Sequence, residues 1–282
     1  MIYLGTSGFK YEEWKGVFYP ERLAEKEWLA YYARHFNALE VNSTYYRLLH
    51  PATFYHMARK VPEGFHFTVK AYRTLTHEID EGSEGDLHTF LNSLQPLQEA
   101  GKLGCLVAQF PNSFRRNPRS LAYLAKLRQR CADFPLAIEF RHKGWASPQT
   151  FDFLREQGLG FVCVDEPQFP TLMPPLAVAT APLAYLRFHG RNYQTWWKSG
   201  EEKLRYDYLY SEEELKEWLP KIEGLHAQSQ RLFIFMNNHF GGKAVTNAFM
   251  LASMLRDQLG ASLPAANATS SPQASLPMDP AR

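Results

Sequence analysis

Leu136-Ala-Ile-Glu-Phe-Arg-His142 is a mostly apolar run with two opposite charges near its carboxyl end. Read as a β-strand, it sends Glu139 and Arg141, two positions apart, to one side and Ile138 and Phe140 to the other. One face is then suited to burial while the other offers a carboxylate and a guanidinium. The same construction recurs along the chain. Residues 2–7, 38–42, 65–70, 104–109, 159–165, 183–189 and 232–238 are also apolar runs that finish on polar groups.

Between these runs lie helix signals. Trp28, Leu29, Tyr32 and Phe36 share one helical face, and residues 51–60 and 86–100 have helical patterning. Asn117-Pro118 and Ser147-Pro148 are cap-plus-proline starts, the first opening a helix to about residue 131. Ser211 with Glu214 is a capping box before a stripe of Leu215, Trp218, Leu219 and Ile222. Ala244, Ala248, Leu251, Ala252 and Leu255 mark a last amphipathic helix. Only 166–182, rich in proline, lacks a helix pattern. Eight strands, nearly all followed by a helix, predict an α/β chain folded as one TIM-type (β/α)8 barrel over 1–260. An open doubly wound sheet would want a glycine-rich first turn, and Gly5-Thr-Ser-Gly8 is not GxGxxG. Residues 261–282, Ala-, Ser- and Pro-rich, read as a disordered tail.

The composition removes several function classes. With 282 residues and 45% hydrophobic content the chain can bury a large core, and a net charge of +2 gives no global basic field. Cys105, Cys131 and Cys163 form no CxxC pair, which argues against a zinc ribbon or a disulfide framework. No run of about 18 apolar residues exists, and the chain opens directly on a strand; the expected setting is reducing and cytoplasmic, without a membrane partner.

In such a barrel the chemistry belongs at the carboxyl ends of the strands. These ends carry Thr6 and Ser7, Glu40 and Asn42, Lys70, Gln109, Glu139 and Arg141, Asp165, Arg187 and His189, and Asn237 and Asn238. Charged groups in a barrel interior can be a mutually satisfied ion-pair plug. A plug, however, needs neither the ring of amides nor aromatic loops above it. The loop after the seventh strand interleaves Arg191, Lys198, Lys203 and Arg205 with Tyr193, Trp196, Trp197, Tyr206, Tyr208 and Tyr210. Cations among flat rings suit a ligand with a phosphate and a stackable base or sugar. Packing of that loop on the barrel is the alternative.

The expected catalytic set is therefore Glu139 or Glu40 as general base, His189 as proton donor, and Asp165. The expected binding set is Lys70, Arg141, Arg187, Asn42, Tyr46, Arg47, Gln109, Asn237, Asn238, Trp14 and Trp197. A magnesium on Glu40, Glu139 and Asp165 is conceivable, but the neighbouring cations oppose it, and no metal or cofactor is expected. Ser7, His189 and Asp165 can be drawn as a triad, yet GTSGF is not a nucleophile elbow.

Several stretches resemble the YecE-like domain-of-unknown-function family 72. They are GTSGF at 5–9, the W-x-G-x-F-Y-P run from Trp14 to Pro20, LEVNSTYYRL at 39–48, Phe67 to Lys70 and KLGCLVAQFP at 102–111. AIEFRHKGW at 137–145, LRFHGR at 186–191 and FMNNHFGGKAVTNA at 235–248 continue it. The resemblance spans roughly 2–258, with Phe9 where Trp is commoner and Phe110 where Leu is commoner. It implies a TIM barrel shaped like the xylose-isomerase and endonuclease-IV group, for which nucleic-acid binding has been suggested by analogy. This sequence lacks the histidine-rich zinc set of the endonucleases. The expectation is an enzyme acting on a phosphorylated or nucleotide-like anionic ligand by hydrolase-type acid/base chemistry. A non-catalytic pocket for nucleic acid or a metabolite, and a carboxylate-pair glycosidase, are the alternatives.

Overall fold

The computed structural model describes residues 1–80, 82–198 and 202–264, with only the backbone at 202 and 203. The side chain of Lys203, and the expected tail from 265 onward, lie outside the described residues. Eight parallel strands form one sheet in the order β1-β8-β7-β6-β5-β4-β3-β2. They are β1 (Ile2–Thr6), β2 (Ala38–Val41), β3 (His66–Lys70), β4 (Leu103–Gln109), β5 (Leu136–Glu139), β6 (Gly160–Asp165), β7 (Leu183–Phe188) and β8 (Arg231–Met236).

The sheet curls into a nearly closed barrel, and its seam lies between β1 and β2. The two strands share one bridge, Ser7 with Glu40, instead of a full ladder. Side chains complete the closure. Thr6 N–H donates to the Tyr32 hydroxyl (2.7 Å), which donates to the Ala38 carbonyl (3.1 Å), and Asn37 bonds both Leu4 N–H and the Ile2 carbonyl. Gly5 permits this approach, since a Cβ there would lie 2.0 Å from the Ala38 carbonyl oxygen.

Outside the strands pack α1 (Trp28–Tyr32), α2 (Pro51–Arg59), α3 (Ser83–Ser93), α4 (Gln95–Glu99), α5 (Pro118–Arg130), α6 (Pro148–Gln157), α7 (Glu212–Lys216), α8 (Leu219–Gln228) and α9 (Lys243–Leu259). The three caps form as expected. Asn117 Oδ1 accepts from Ser120 N–H, Ser147 Oγ from Thr150 N–H, and Ser211 with Glu214 makes a reciprocal box. Two expected helices are each split: Pro96 and Pro220 start new helices, α4 and α8, within them. The connection 166–182 has no helix. Among the described residues no helix is long and apolar enough to cross a membrane.

Side-chain alternation places the site. On β5, Phe140 faces outward and stacks on Trp145 at 4.1 Å, which in turn stacks on Phe114. Glu139 and Arg141 are thereby aimed at the barrel axis. On β7, Phe188 packs outward against Trp218 and Tyr210, which sends Tyr185, Arg187 and His189 inward.

Candidate functional site

The inward groups form two storeys. The lower one is a buried ion network centred on Arg187, whose Nη2 meets Glu40 Oε1 (2.6 Å) and whose Nη1 meets Glu139 Oε2 (2.5 Å). The other Glu40 oxygen accepts from the Tyr185 hydroxyl (2.6 Å), itself bonded to Thr68 (2.8 Å). The other Glu139 oxygen accepts from His189 Nε2 and forms an ion pair with Arg141 Nε, both at 3.1 Å. Arg141 Nη1 continues the chain to Glu166 Oε2 (2.6 Å), whose second oxygen accepts from Met173 N–H. Glu40, Glu139 and His189 are wholly buried.

Charges this close set one another's protonation. Burial alone would raise the Glu139 carboxyl, but Arg187 and Arg141 overcome it and hold it well below the usual carboxylate range. Burial, reinforced by Arg141, pushes His189 down to about 3. The ring is thus neutral, with Nε2–H donating to Glu139 and Nδ1 accepting from Asn237 Nδ2 at 2.9 Å. Glu166 is pushed up to about 7 by burial and by the Glu139 charge, against the pull of Arg141.

The upper storey is an open mouth in two adjoining lobes of about 420 and 310 Å³, which share Tyr46, Lys70, Gln109 and Tyr206. Arg141, Asn112, His77, Tyr45, Trp196, Trp197 and Arg205 line the first; Tyr11, Asn42, Arg187, Asn237 and His239 line the second. Lys70 Nζ donates to Gln109 Oε1 (2.8 Å) and lies 4.6 Å from the Tyr45 ring. Burial, and then the Arg187 charge, push its amine down to about 7. A cleft of similar size, about 440 Å³, lies on the outer flank by α3 and α5. Among the described residues it gathers no buried ion-pair network, so chemistry and not volume selects the mouth.

Of the sequence-predicted residues, Glu40, Asn42, Tyr46, Lys70, Gln109, Glu139, Arg141, Arg187, His189, Asn237 and Trp197 converge here. Four do not. Asp165 faces the helix layer, where it accepts from Arg191, from the Tyr210 hydroxyl (2.7 Å) and from Trp218 Nε1 (2.7 Å). Its neighbour Glu166 is the inward carboxylate, one residue further along the alternation. Asn238 also faces outward, donating to Tyr208 O and Asn247 Oδ1. Arg47 lies past the turn Ser43–Tyr45, in a separate groove with Lys10 and His50. Trp14 is core: it is fully buried, and its Nε1 donates to His239 O (2.9 Å), bracing the wall that Tyr11 and His239 form.

The roles change too. Glu139, bonded by Arg187 and His189 and ion-paired with Arg141, is a poor base, and His189, neutral down to about pH 3, holds no imidazolium proton to give. Glu40 and Glu139, both buried and bridged by one guanidinium, present no carboxylate pair to a sugar. Among the described residues no three His, Cys, Asp or Glu side chains gather as a metal-ligand set.

The loop from 190 to 210 is divided between the expected ligand-facing surface and the packing alternative. Trp196 is 2% exposed and packs between Arg141 and Arg205, whereas Trp197 is 54% exposed at the rim. The described part is tied down by Asn192 and Thr195 to Leu204 O and by Arg205 to Trp196 O; residues 199–201 lie outside the described residues.

Comparison with known proteins places this architecture. The chain is 32% identical over 270 residues to UPF0759 protein YunF of Bacillus subtilis (strain 168), covering 90% of this chain and 95% of that one. UPF0759 protein YecE of Escherichia coli (strain K12) is 30% identical over 172 residues, 58% of this chain and 59% of that one. Two crystal structures superpose closely. The DUF72 family protein TM1631 of Thermotoga maritima MSB8 has a TM-score of 0.83 at 42% identity, covering 91% of this chain and 99% of that one. EF0366 of Enterococcus faecalis V583 has 0.82 at 30% identity, covering 91% and 96%. The family described as Protein of unknown function DUF72 matches residues 3–272, and the chain belongs to that family.

Proposed function

We propose that the barrel mouth binds a phosphorylated or nucleotide-like ligand, with Lys70 and Arg141 on its anion and Tyr46, Trp197 and Tyr206 against its ring. One observation carries this reading: every carboxylate of the network is sealed beneath the cations that neutralise it. The surface met by a ligand is therefore cationic and aromatic. Arg141 supports it most directly. Its Nε and Nη1 are paired with Glu139 and Glu166, while Nη2 has no hydrogen-bond partner among the described residues, and the residue is 9% exposed. A guanidinium clamped on two edges and open on the third is preorganised for an oxyanion.

The acid/base group within reach of a ligand is Lys70, whose amine titrates near neutrality and opens on both lobes. An enzyme that transfers protons through Lys70 is the reading the geometry favours. The saturation of Glu139 favours a second, in which the same pocket binds without turnover. The test is calorimetry and thermal melting with inorganic phosphate and with nucleoside monophosphates. Both ligands should stabilise the protein, and Arg141→Ala should weaken binding by about 1.5–3 kcal/mol, the worth of a charge-assisted hydrogen bond. Unchanged melting in millimolar phosphate and nucleotide at pH 6.5 would refute the anion site.

A further inference from the structure

The three inward carboxylates are all taken by arginines: Glu40 and Glu139 by Arg187, Glu139 and Glu166 by Arg141. Lys70 is left over. Among the described residues its amine has no carboxylate within ion-pair distance; it touches a neutral amide and the face of a ring. The guanidinium groups of Arg187 and Arg141, in the same mouth, repel a positive charge there. The amine is also well positioned. Lys70 closes β3, its carbonyl accepts from Thr44 Oγ1 (2.6 Å), and Gln109 fixes Nζ at the junction of the two lobes.

From this arrangement we infer that Lys70 is an amine nucleophile that forms a Schiff base with an aldehyde or ketone bearing an anionic group, such as a phosphorylated carbonyl compound or a 2-oxo acid. The inference rests on the mouth being an anion site and adds the reactive group of the ligand.

A buried lysine beside Arg187 and Arg141, with no carboxylate in ion-pair distance, is held toward the free base, the form in which it attacks carbonyl carbon, although the charges of Glu139 and Glu40 below it pull the other way. Its downward shift to about 7 agrees with this, since an ordinary lysine is almost wholly protonated at that pH. The lone pair of Nζ bonds to the carbonyl carbon, and the π pair moves to oxygen, which takes the proton that nitrogen gives up. The carbinolamine then loses that hydroxyl as water, with one further proton taken from solvent, and nitrogen closes the C=N⁺ bond. Overall one amine, one carbonyl and one proton give one iminium and one water, with no oxidant or reductant. Arg141 Nη2, open to the same lobe, is placed to hold the ligand's anion.

The probes are glyoxylate, pyridoxal 5′-phosphate and neutral propionaldehyde, each with cyanoborohydride at pH 7, followed by peptide mapping. Lys70 should be reduced to a stable adduct at least ~10²-fold faster than an ordinary surface lysine. The rate should rise through a midpoint near 7, and inorganic phosphate should compete with the anionic probes. Lys70→Met, which keeps the length of the side chain and removes the amine, should stay folded by its melting curve, lose the fast adduct and bind phosphate less tightly through Arg141 alone. Phosphate binding with Lys70 labelled no faster than other lysines would overturn the nucleophile and leave the anion site standing. Fast labelling by propionaldehyde and glyoxylate alike, without competition by phosphate, would overturn the anionic substrate class.

Discussion

Glu139→Gln tests whether the buried network is a support or a reacting group. Glu139 accepts from Arg187 Nη1 (2.5 Å) and His189 Nε2 (3.1 Å) and is ion-paired with Arg141 Nε (3.1 Å), with no exposure to water. Glutamine keeps the shape but replaces one acceptor oxygen with a donating NH₂. Either Arg187, or Arg141 and His189, then faces a donor, and the network keeps both guanidinium charges with one counter-charge fewer. Removing one partner of a buried pair costs about 3–5 kcal/mol. At roughly 2–4 °C per kcal/mol for a large single domain, the melting point should fall by about 6–20 °C. Phosphate affinity should hold or improve, because a negative charge beneath the anion has gone. Thermal melts with and without phosphate measure both quantities. A variant that melts within about 2 °C of the parent yet binds phosphate less well would refute the division into a supporting floor and a binding mouth.

Asp165→Asn should destabilise the fold by about 3 kcal/mol through its loss of the Arg191 partner, while phosphate affinity measured by calorimetry stays unchanged. Trp197→Ala should cost about 1–3 kcal/mol of nucleotide binding with little change in melting; Trp14→Ala should do the reverse, losing about 3–5 kcal/mol of stability as a core ring. Acid should weaken the fold. His189 takes up its proton near 6.5 when unfolded but only near 3 when folded, so its contribution is full above pH 6.5 and is lost as the pH falls, with Glu139 adding to the loss below about 4.5. Glu166, pushed up to about 7, acts in the opposite sense and stabilises the fold as the pH falls from 7 to 4.5, so the parent melting point should fall only gently from pH 6.5 to 4, and His189→Asn should remove the falling part of that slope.

The sequence made the barrel legible because each strand is apolar, short and followed by punctuation, and because cap residues announce themselves locally. The site was legible where strand parity was. On 136–142 the outward partners Ile138 and Phe140 are apolar and the inward pair charged, so alternation reads directly. On β6 it does not: Phe161, Val162, Cys163 and Val164 are buried on both sides, which leaves Asp165 and Glu166 equally eligible. Counting back in steps of two from Glu166 to Val164, paired with Arg187 on β7, gives the answer only once the register is known. Tyr185 was hidden for a similar reason, an apolar-looking ring whose hydroxyl completes the Glu40 site. Protonation was the least legible property. Glu139 and His189 have the residue types of an acid/base pair, and only the distances show one carboxylate held by two arginines and an imidazole, with that imidazole kept neutral.

The same distances explain why a balanced plug and a reactive mouth coexist in one barrel. Isolated buried charges are too costly to keep, so Glu40, Glu139 and Glu166 exist in the interior only because Arg187 and Arg141 meet them. Those ion pairs hold the two guanidinium groups below the mouth, where Arg187 and Arg141 disfavour an ammonium above them, Glu139 and Glu40 favour one, and burial tips the balance. Lys70, half-buried and last in the series, finds no carboxylate left, and burial plus the Arg187 charge act on its amine together. An ammonium in that place is disfavoured, whereas a free amine, or an ammonium beside an incoming anion, is not. Phosphate binding and proton uptake by Lys70 are therefore linked: the anion is held more tightly as pH falls through about 7, while attack on a carbonyl strengthens as pH rises through the same value. Ion-pair floor and titrating lysine are two consequences of one charge arrangement, in which two arginines satisfy three carboxylates and the lysine is left unpaired.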